Sequence, residues 1–406
     1  MLGYLIAVAY PSGERLTFGA LALSFLGLSS TLPTLAAAFF SGALADRYDR
    51  GRVLRTVNLA SLLVTAGLVT DIATLPANRI PVPGPAGFYL PLWTLLLYPG
   101  WAGVAVCSTL FRPAFNSSVP RMVDPADLPT ANGSIYAVAA GLSAAMSVLV
   151  GVVLTVAAPA YALGVGFLLF FATQVALLFV RADLSVARRG PARSLSREAA
   201  QGYSYLVKRR WLFEITITGL VVNFLAALAL VELALYTTSW LGLGQGIWYG
   251  SMVAASTAGV AVGLMVAPRL HFEPHAGRAI ISLLLAMGLA IFALGVVRSI
   301  WFALPIMFVF GLMPGMVTTV FLSTIQATVP DEMMGRVFSA DEVGSMALIP
   351  VGQWSGGILT FAIGVQGTFL GAGAAIVVFG LVCVAGFGSL RRLGYNPGEA
   401  KVSVAE

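Results

Sequence analysis

Long apolar runs separated by short polar turns occupy almost the whole chain. A helix needs about 20 apolar residues to cross a bilayer, and eleven runs reach that length while the run at the start is shorter. The runs cover residues 1–10, 18–41, 53–74, 88–111, 131–158, 160–180, 212–240, 247–268, 279–297, 300–325, 336–362 and 367–389. The pattern therefore predicts an all-α integral membrane protein.

Composition agrees with this pattern, since the mean hydropathy is +0.91 and only 10% of residues are charged. Lys and Arg accumulate in cytoplasmic loops. With the amino terminus inside, only Arg15, Arg79 and Arg298 of the 23 basic residues fall outside. The chain is thus predicted to be a multi-pass protein of the cell (inner) membrane with both termini cytoplasmic. Anionic membrane lipids account for the net charge of +6, so nucleic acid is not expected as a partner.

The sequence offers little that would support enzymatic chemistry. Cys107 and Cys383 lie in apolar runs, where thiols are inert. His271 and His275 lie in one polar loop, where solvation is favoured over metal binding. The sequence contains no Walker motif, and no strand precedes the glycines of residues 242–246. We therefore predict no enzyme activity, no cofactor and no metal.

An internal repeat divides the chain. At an offset of 210 residues, Ser118-Val119-Pro120 aligns with Thr328-Val329-Pro330, and each copy ends an apolar run. A repeat of this length in a membrane protein indicates two halves that give alternating access to a central site. The predicted units are an N-terminal half at 1–180, a linker with an amphipathic helix at 181–211, a C-terminal half at 212–390 and a cytoplasmic tail at 391–406.

The charged turn between the second and third runs contains Gly42, Leu44, Asp46, Arg47 and Arg50. These residues resemble the loop signature of the major facilitator superfamily. The family fold is two six-helix halves with about 12 membrane-spanning helices. The first of them would here be truncated, because residues 1–10 form only about 15 Å of helix. We expect that the chain is cut at its start or that translation begins upstream.

Two further segments resemble the drug-exporter branch that includes macrolide and siderophore efflux proteins. They are Phe111-Arg112-Pro113-Ala114-Phe115 and Val329-Pro330-Asp331-Glu332 with Gly335-Arg336-Val337. The resemblance implies multidrug efflux by a proton antiporter. The sequence departs from it in the fifth span, where the glycine-proline signature of antiporters is not present.

The resemblance also implies that the charged turn is a conformational latch. In the family the aspartate equivalent to Asp46 meets the amino-terminal end of the eleventh span, which begins here near Gly335. The alternative is that these charges only set the topology, although Asp46 and Asp49 do not serve that purpose. Asp49 also replaces the second glycine of the signature. The predicted latch residues are Gly42, Asp46, Arg47, Arg50, Arg336, Asp341 and Glu342.

Glu232 is the acid most deeply placed in an apolar run. An ionisable group at membrane depth normally faces a cavity, so one hypothesis is that Glu232 couples protonation to transport. The alternative is a carboxylate near the outer interface that is balanced by solvent. For Glu214 an ion pair with Arg209 or Arg210 is favoured, and for Asp71 a solvated helix end.

Aromatic and amide side chains in the central runs are candidates for a substrate cavity. They are Asn223, Phe224, Tyr236, Gln326, Gln353 and Trp354. An apolar cavity with few polar groups suits hydrophobic or amphiphilic substrates. The function that the sequence favours is a monomeric secondary active transporter that exports such small molecules in exchange for protons. The rivals are a lipid or lysolipid flippase, and a passive facilitator or non-transporting receptor on the same fold.

Overall fold

The computed structural model describes residues 19–47, 49–74, 79–81, 89–91, 94–119, 122, 128–157, 159–180, 195–270 and 272–394. The short first run and the tail beyond residue 394 lie outside the described residues. The N-terminal half contains α1 (Ala20–Arg47), α2 (Arg50–Thr74), α3 (Thr94–Ser118), α4 (Leu128–Val156) and α5 (Pro159–Phe179).

The linker and the C-terminal half are helical as well. Their elements are α6 (Leu195–Lys208), α7 (Arg210–Leu230), α8 (Leu233–Leu235) with a π-helical turn (Tyr236–Trp240), α9 (Gly246–Val266), α10 (Ala276–Val296), α11 (Ile300–Thr328), α12 (Asp331–Met346), α13 (Ile349–Gly386) and α14 (Gly388–Arg391). Short 3-10 turns at Ala267–Leu270 and Glu273–His275 join α9 to α10.

Each of the eleven predicted full spans coincides with helix in the described part of the chain. Eight stretches there satisfy both the length and the hydropathy needed to cross a membrane. The last stretch combines two spans, because α13 is interrupted at Gly364 with φ 75° and ψ 169°. Glycine adopts this conformation without steric penalty. The interruption falls between the predicted runs 336–362 and 367–389.

The fourth span begins later than predicted. Tyr89–Pro91 does not start the helix but forms strand β2, which pairs antiparallel with strand β1 at Arg79–Pro81. The helix α3 follows only at Thr94. Prolines at the ends of both strands disfavour helix at these positions, since proline removes a backbone donor. The all-α bundle thus carries one two-stranded ribbon in a loop.

The internal repeat is visible in the helix ends and in the packing. Helix α3 ends at Ser118 and helix α11 ends at Thr328, the residues aligned by the repeat. Contacts between the halves join α1 to α13 and α4 to α9. The repeat relates α1 to α9 and α4 to the first part of α13. It therefore converts the contact of α1 with α13 into the contact of α9 with α4. The halves are therefore related by an approximate two-fold axis.

Glycines allow the helices of the C-terminal half to touch backbone to backbone. A Cβ at Gly259 on α9 would collide with the carbonyl oxygen of Phe308, and one at Gly311 on α11 would collide with that of Ser256. On α13, Gly352 lies in the same way against the carbonyl of Phe224. Small residues at helix crossings are typical of membrane bundles. Gly352 therefore serves the packing of α13 against α7.

Most basic residues of the described part of the chain lie at one end of the bundle, which we call the basic end. Among them are Arg50, Arg112, Arg210, Arg278 and Arg392. The helix α2 begins there at Arg50, and Asp49 caps it by accepting the backbone N–H of Arg52 at 2.7 Å. This capping role accounts for the presence of Asp49 in the charged turn. Asp49 is therefore no longer evidence for the latch. The ion pair predicted for Glu214 is confirmed, since Arg210 Nε lies 2.9 Å from Glu214 Oε1.

Replacement of Gly259 by alanine tests the backbone contact between α9 and α11. We expect Gly259→Ala to lower the unfolding free energy by about 1–3 kcal/mol, the usual effect of overpacking. Thermal unfolding of the purified protein in detergent measures the change. Gly141→Ala is the matched control, because a Cβ there meets nothing within 4 Å. Equal melting temperatures for the two variants would contradict the packing.

Candidate functional site

The helix that begins as α7 is broken at Glu232. The N–H of Glu232 bonds to the carbonyl of Ala229 at 3.1 Å, a tight turn between α7 and α8. Glu232 has φ −90° and ψ 8°, outside the helical range, and the π-helical turn follows within one turn. Broken and π-helical segments in membrane helices commonly mark binding sites. Glu232 is therefore placed at the irregular point of its span.

The carboxyl group of Glu232 is fully buried where the two halves meet. Both Glu232 and Ser24 of α1 are 0% exposed, and Ser24 Oγ donates a long hydrogen bond of 3.5 Å to Glu232 Oε1. The other oxygen, Oε2, has no hydrogen-bond partner among the described residues. A buried carboxylate with an unpaired oxygen is costly in its charged form. This arrangement suits a group that changes its protonation state.

Helix α13 closes the third side of this junction. Gly357 lies against Ser24, and a Cβ at Gly357 would collide with Ser24 Oγ. One turn further along both helices, a Cβ at Gly27 would lie 3.1 Å from the Cβ of Gln353. The absence of side chains at the two glycines lets α1 and α13 approach closely. Residues of both halves thus converge on Glu232.

Polar and aromatic contacts continue the junction toward the middle of the bundle. Thr31 Oγ1 donates a hydrogen bond of 2.8 Å to Gln353 Oε1. The rings of Phe25 and Trp354 meet edge to face with centroids 4.9 Å apart. Gln353 and Trp354, both cavity candidates from the sequence, are therefore brought together between the halves.

The remaining cavity candidates lie elsewhere. Asn223 donates to the backbone carbonyl of Ser345 at 3.1 Å within the C-terminal half, and Phe224 packs against Gly352 through its backbone. Tyr236 is 0% exposed and packs against Phe369, so it has no open face in this conformation. The side chain of Gln326 lies outside the described residues.

The predicted latch is described only in part. Gly42 lies within α1. The side chains of Asp46 and Arg47 lie outside the described part of the chain, and Arg50 is partly buried. Arg336 donates a hydrogen bond of 2.7 Å to Gln201 of α6. Asp341 is 8% exposed and accepts from Thr216 of α7, and Glu342 is exposed. Arg336 and Asp341 thus bond to the linker and to their own half.

Asp71 departs from its predicted environment. It is 4% exposed rather than solvated, and neither carboxylate oxygen has a hydrogen-bond partner among the described residues. The physical reason is that α2 runs on to Thr74, which leaves Asp71 almost one turn inside the helix.

Sequence reasoning missed the contribution of α1 to the site. Ser24, Gly27 and Thr31 lie on one face of this helix because they are three and four residues apart. Small and polar residues at that spacing are a recognisable sign of a helix crossing. The stripe was present in the sequence, but its partner on α13 could not be read from it.

Comparisons with known proteins agree on one family. A sequence profile of the Major Facilitator Superfamily matches residues 1–352. The uncharacterised MFS-type transporter YfiS of Bacillus subtilis (strain 168) is 24% identical over 94% of this chain and 88% of its own length. YvqJ of the same organism, also an uncharacterised MFS-type transporter, is 24% identical over 75% of this chain and 71% of its own.

Solved structures share the fold at low sequence identity. The peptide transporter POT in complex with alafosfalin superposes with a TM-score of 0.69 at 16% identity, over 97% of this chain and 93% of its own. The nucleoside transporter NupG gives a TM-score of 0.67 at 10% identity, over 96% of this chain and 95% of its own. At these identities the likeness concerns the fold alone.

Paired cysteines test the contact between α1 and α13. We expect Gly27→Cys with Gln353→Cys to form a disulfide on mild oxidation, because the Cβ separation of 3.1 Å is close to the roughly 3.8 Å of disulfides. Cys107 and Cys383 are first replaced by alanine. With a protease site inserted in linker residues 181–194, a non-reducing gel shows whether the cleaved halves stay joined.

The matched control pair is Gly27→Cys with Gly371→Cys. Gly371 lies in the later part of α13, where a Cβ would meet nothing within 4 Å. Cross-linking only in the first pair supports the contact. No cross-link in the first pair, or equal yields in both, would contradict it.

Proposed function

The chain belongs to the Major Facilitator Superfamily, and on that premise we propose that this membrane transporter exports hydrophobic or amphiphilic small molecules by antiport with protons. Transport follows from the family. Export, the substrate class and the proton are the additions made by the proposal. The resemblance of the segments at 111–115 and 329–337 to the drug-exporter branch supports these additions.

The single observation that supports proton antiport is the position of Glu232. Its carboxyl group is fully buried at a helix break and at the junction of the two halves. When the halves separate at this end, the same group meets water and can release or take up a proton. Burial then favours the neutral form, so the proton load and the conformation are linked. A difference of one pH unit supplies about 1.4 kcal/mol per proton.

The composition of the junction supports an apolar or amphiphilic substrate. The side chains contributed by α1 and α13 are the rings of Phe25 and Trp354 and the neutral polar groups of Thr31 and Gln353. Aromatic faces with a few neutral hydrogen-bonding groups favour hydrophobic molecules over sugars or multiply charged solutes. Glu232 would compensate a substrate cation in the state that lacks the proton.

We further propose that the charged turn at the basic end is a latch. Asp46 lies near the end of α1, and α12 begins at Asp331. A carboxylate near a helix amino terminus is stabilised by about 0.3–1 kcal/mol, and by up to roughly 2 kcal/mol when partly buried. This energy is enough to bias two conformations without locking either of them.

Flux measurements in proteoliposomes separate this proposal from its rivals. Lipophilic fluorescent dyes and a labelled lysolipid are offered with and without an imposed pH gradient. An antiporter accumulates dye against its gradient, a facilitator only equilibrates it, and a flippase moves the labelled lipid between leaflets. Movement of no probe under either condition favours a receptor without transport.

Replacement of Glu232 tests the coupling. We expect Glu232→Gln to abolish accumulation driven by the pH gradient, because the amide cannot exchange a proton, while dye exchange at equilibrium persists. The measurement is dye flux at matched protein amounts. Asp71→Asn is the control, since Asp71 is the other acid with a buried carboxylate oxygen that lacks a hydrogen-bond partner among the described residues. Coupling that survives in Glu232→Gln, or that is lost in Asp71→Asn instead, refutes the assignment.

Replacement of Asp46 tests the latch. We expect Asp46→Asn to reduce transport and to shift the ratio of the two facing states by about two- to thirtyfold, from the roughly 0.3–2 kcal/mol given above. The cross-linking yield of the cysteine pair at positions 27 and 353 reports the shift. Asp49→Asn is the control, because asparagine also caps a helix. Normal transport and an unchanged yield in Asp46→Asn would leave the turn as a topology signal.

A further inference from the structure

Five exposed arginines gather at the basic end of the C-terminal half. They are contributed by the start of α7, the start of α10 and the short helix α14. We call this set the basic corner, and its members are Arg209, Arg210, Arg278, Arg391 and Arg392. Arginines from three separate segments share one surface only if the fold holds the segments together.

Glu214 holds two of these segments together. Its Oε1 accepts from Arg210 Nε at 2.9 Å, and its Oε2 accepts the backbone N–H of Leu390 at 2.6 Å. The start of α10 joins them, because the N–H of Gly277 bonds to the carbonyl of Leu393 at 3.0 Å. The basic corner is therefore a built feature of the fold.

The charge of the basic corner is not balanced by the described contacts. Glu214 is only 5% exposed, and each of its oxygens is already used within the fold. It is the one carboxylate that bonds to these segments in the part of the chain whose side chains are described. The Arg210 side chain stays 76% exposed, so the guanidinium beyond its Nε faces outward. An anion from outside the chain would complete this surface.

Apolar side chains lie directly beside the arginines. Phe213 on α7, three residues after Arg210, is 42% exposed, and Val207 and Tyr203 on α6 are 47% and 58% exposed. The other face of α6 is buried against α12, where Gly202 touches the carbonyl of Arg336. Because α7 enters the membrane here, the arginines lie at the headgroup level and the apolar side chains border the acyl region.

We propose that the basic corner binds an anionic phospholipid, with its phosphate on the arginines and its acyl chains along Phe213 and Val207. Guanidinium groups bind phosphate oxygens through paired N–H donors. Charge complementarity with an anionic leaflet adds to the affinity of each cation near the surface. The site is remote from Glu232 and independent of proton coupling.

General attraction between basic loops and an anionic membrane is the competing explanation. The N-terminal half supplies a matched control, because it also carries exposed arginines at the basic end. These are Arg52, Arg55 and Arg112. If the attraction is general, removal of three arginines from either half weakens the binding of anionic lipid equally. If the basic corner is a site, only removal of arginines from the C-terminal half weakens this binding.

Native mass spectrometry of the purified full chain in detergent measures the binding of phosphatidylglycerol. The test variant combines Arg209→Gln, Arg278→Gln and Arg392→Gln, which leaves Arg210 and Arg391 in their contacts with Glu214 and Val384. The control variant combines Arg52→Gln, Arg55→Gln and Arg112→Gln. Phosphatidylcholine and soluble glycerol phosphate serve as comparison ligands.

We expect the wild-type chain to prefer phosphatidylglycerol to phosphatidylcholine. We expect the test variant to bind phosphatidylglycerol more weakly than the wild type, by a factor of about ten or more. The control variant should stay within about twofold of the wild type. The proposal would be overturned if both variants lost the same affinity for phosphatidylglycerol, or if the wild type did not distinguish the two lipids. It would also be overturned if glycerol phosphate, at the concentration used for the lipid, competed with phosphatidylglycerol for binding. If the test variant does not fold, the single exposed change Arg392→Glu is measured with the same criteria.

Discussion

Close contact between helix backbones is the constraint on which the rest of this structure depends. Lipid tails are as apolar as the helix surfaces, so burial alone does not drive these helices together. Glycines remove the side chains that would keep them apart, as at Gly259 and Gly311 between α9 and α11 and at Gly352 between α7 and α13. This need accounts for part of the 44 glycines of the chain. In the C-terminal half it lets the helices pack closely against one another.

The polar and aromatic contacts between the halves around Glu232 are few. Around Glu232 they consist of a long hydrogen bond from Ser24, a hydrogen bond between Thr31 and Gln353, and one pair of aromatic rings. A neutral hydrogen bond contributes about 0.5–1.5 kcal/mol net. Separation of the halves at this end therefore breaks few hydrogen bonds. The contact of α4 with α9 is closer, because a Cβ at Gly250 would collide with the carbonyl oxygen of Ser147, as in the crossings within the C-terminal half. Few polar contacts around Glu232 fit the proposed opening of the halves at this end.

Local sequence features predicted the parts of the fold that local physics decides. Apolar length predicted the spans, including the separation of runs 336–362 and 367–389 where α13 is interrupted. The basic residues just before Glu214 predicted its ion pair. Contacts across helices were harder, because a helix that is apolar on all sides gives no sign of which face meets a partner. The role of Ser24, the carbonyl partner of Asn223 and the burial of Asp71 all depend on tertiary packing.

The proposed proton site and the proposed latch lie near opposite ends of α1. Helix α1 is 28 residues long, about 42 Å at 1.5 Å per residue, with Ser24 near one end and Asp46 near the other. Facing it, α12 and α13 place Asp341 near the basic end and Gly357 near the opposite end. If the halves tilt as rigid bodies, closing the contact at Ser24 and Gly357 would open the other end. A proton on Glu232 would then favour one tilt of the halves, and a latch at Asp46 would favour the opposite tilt, because the two groups act at opposite ends.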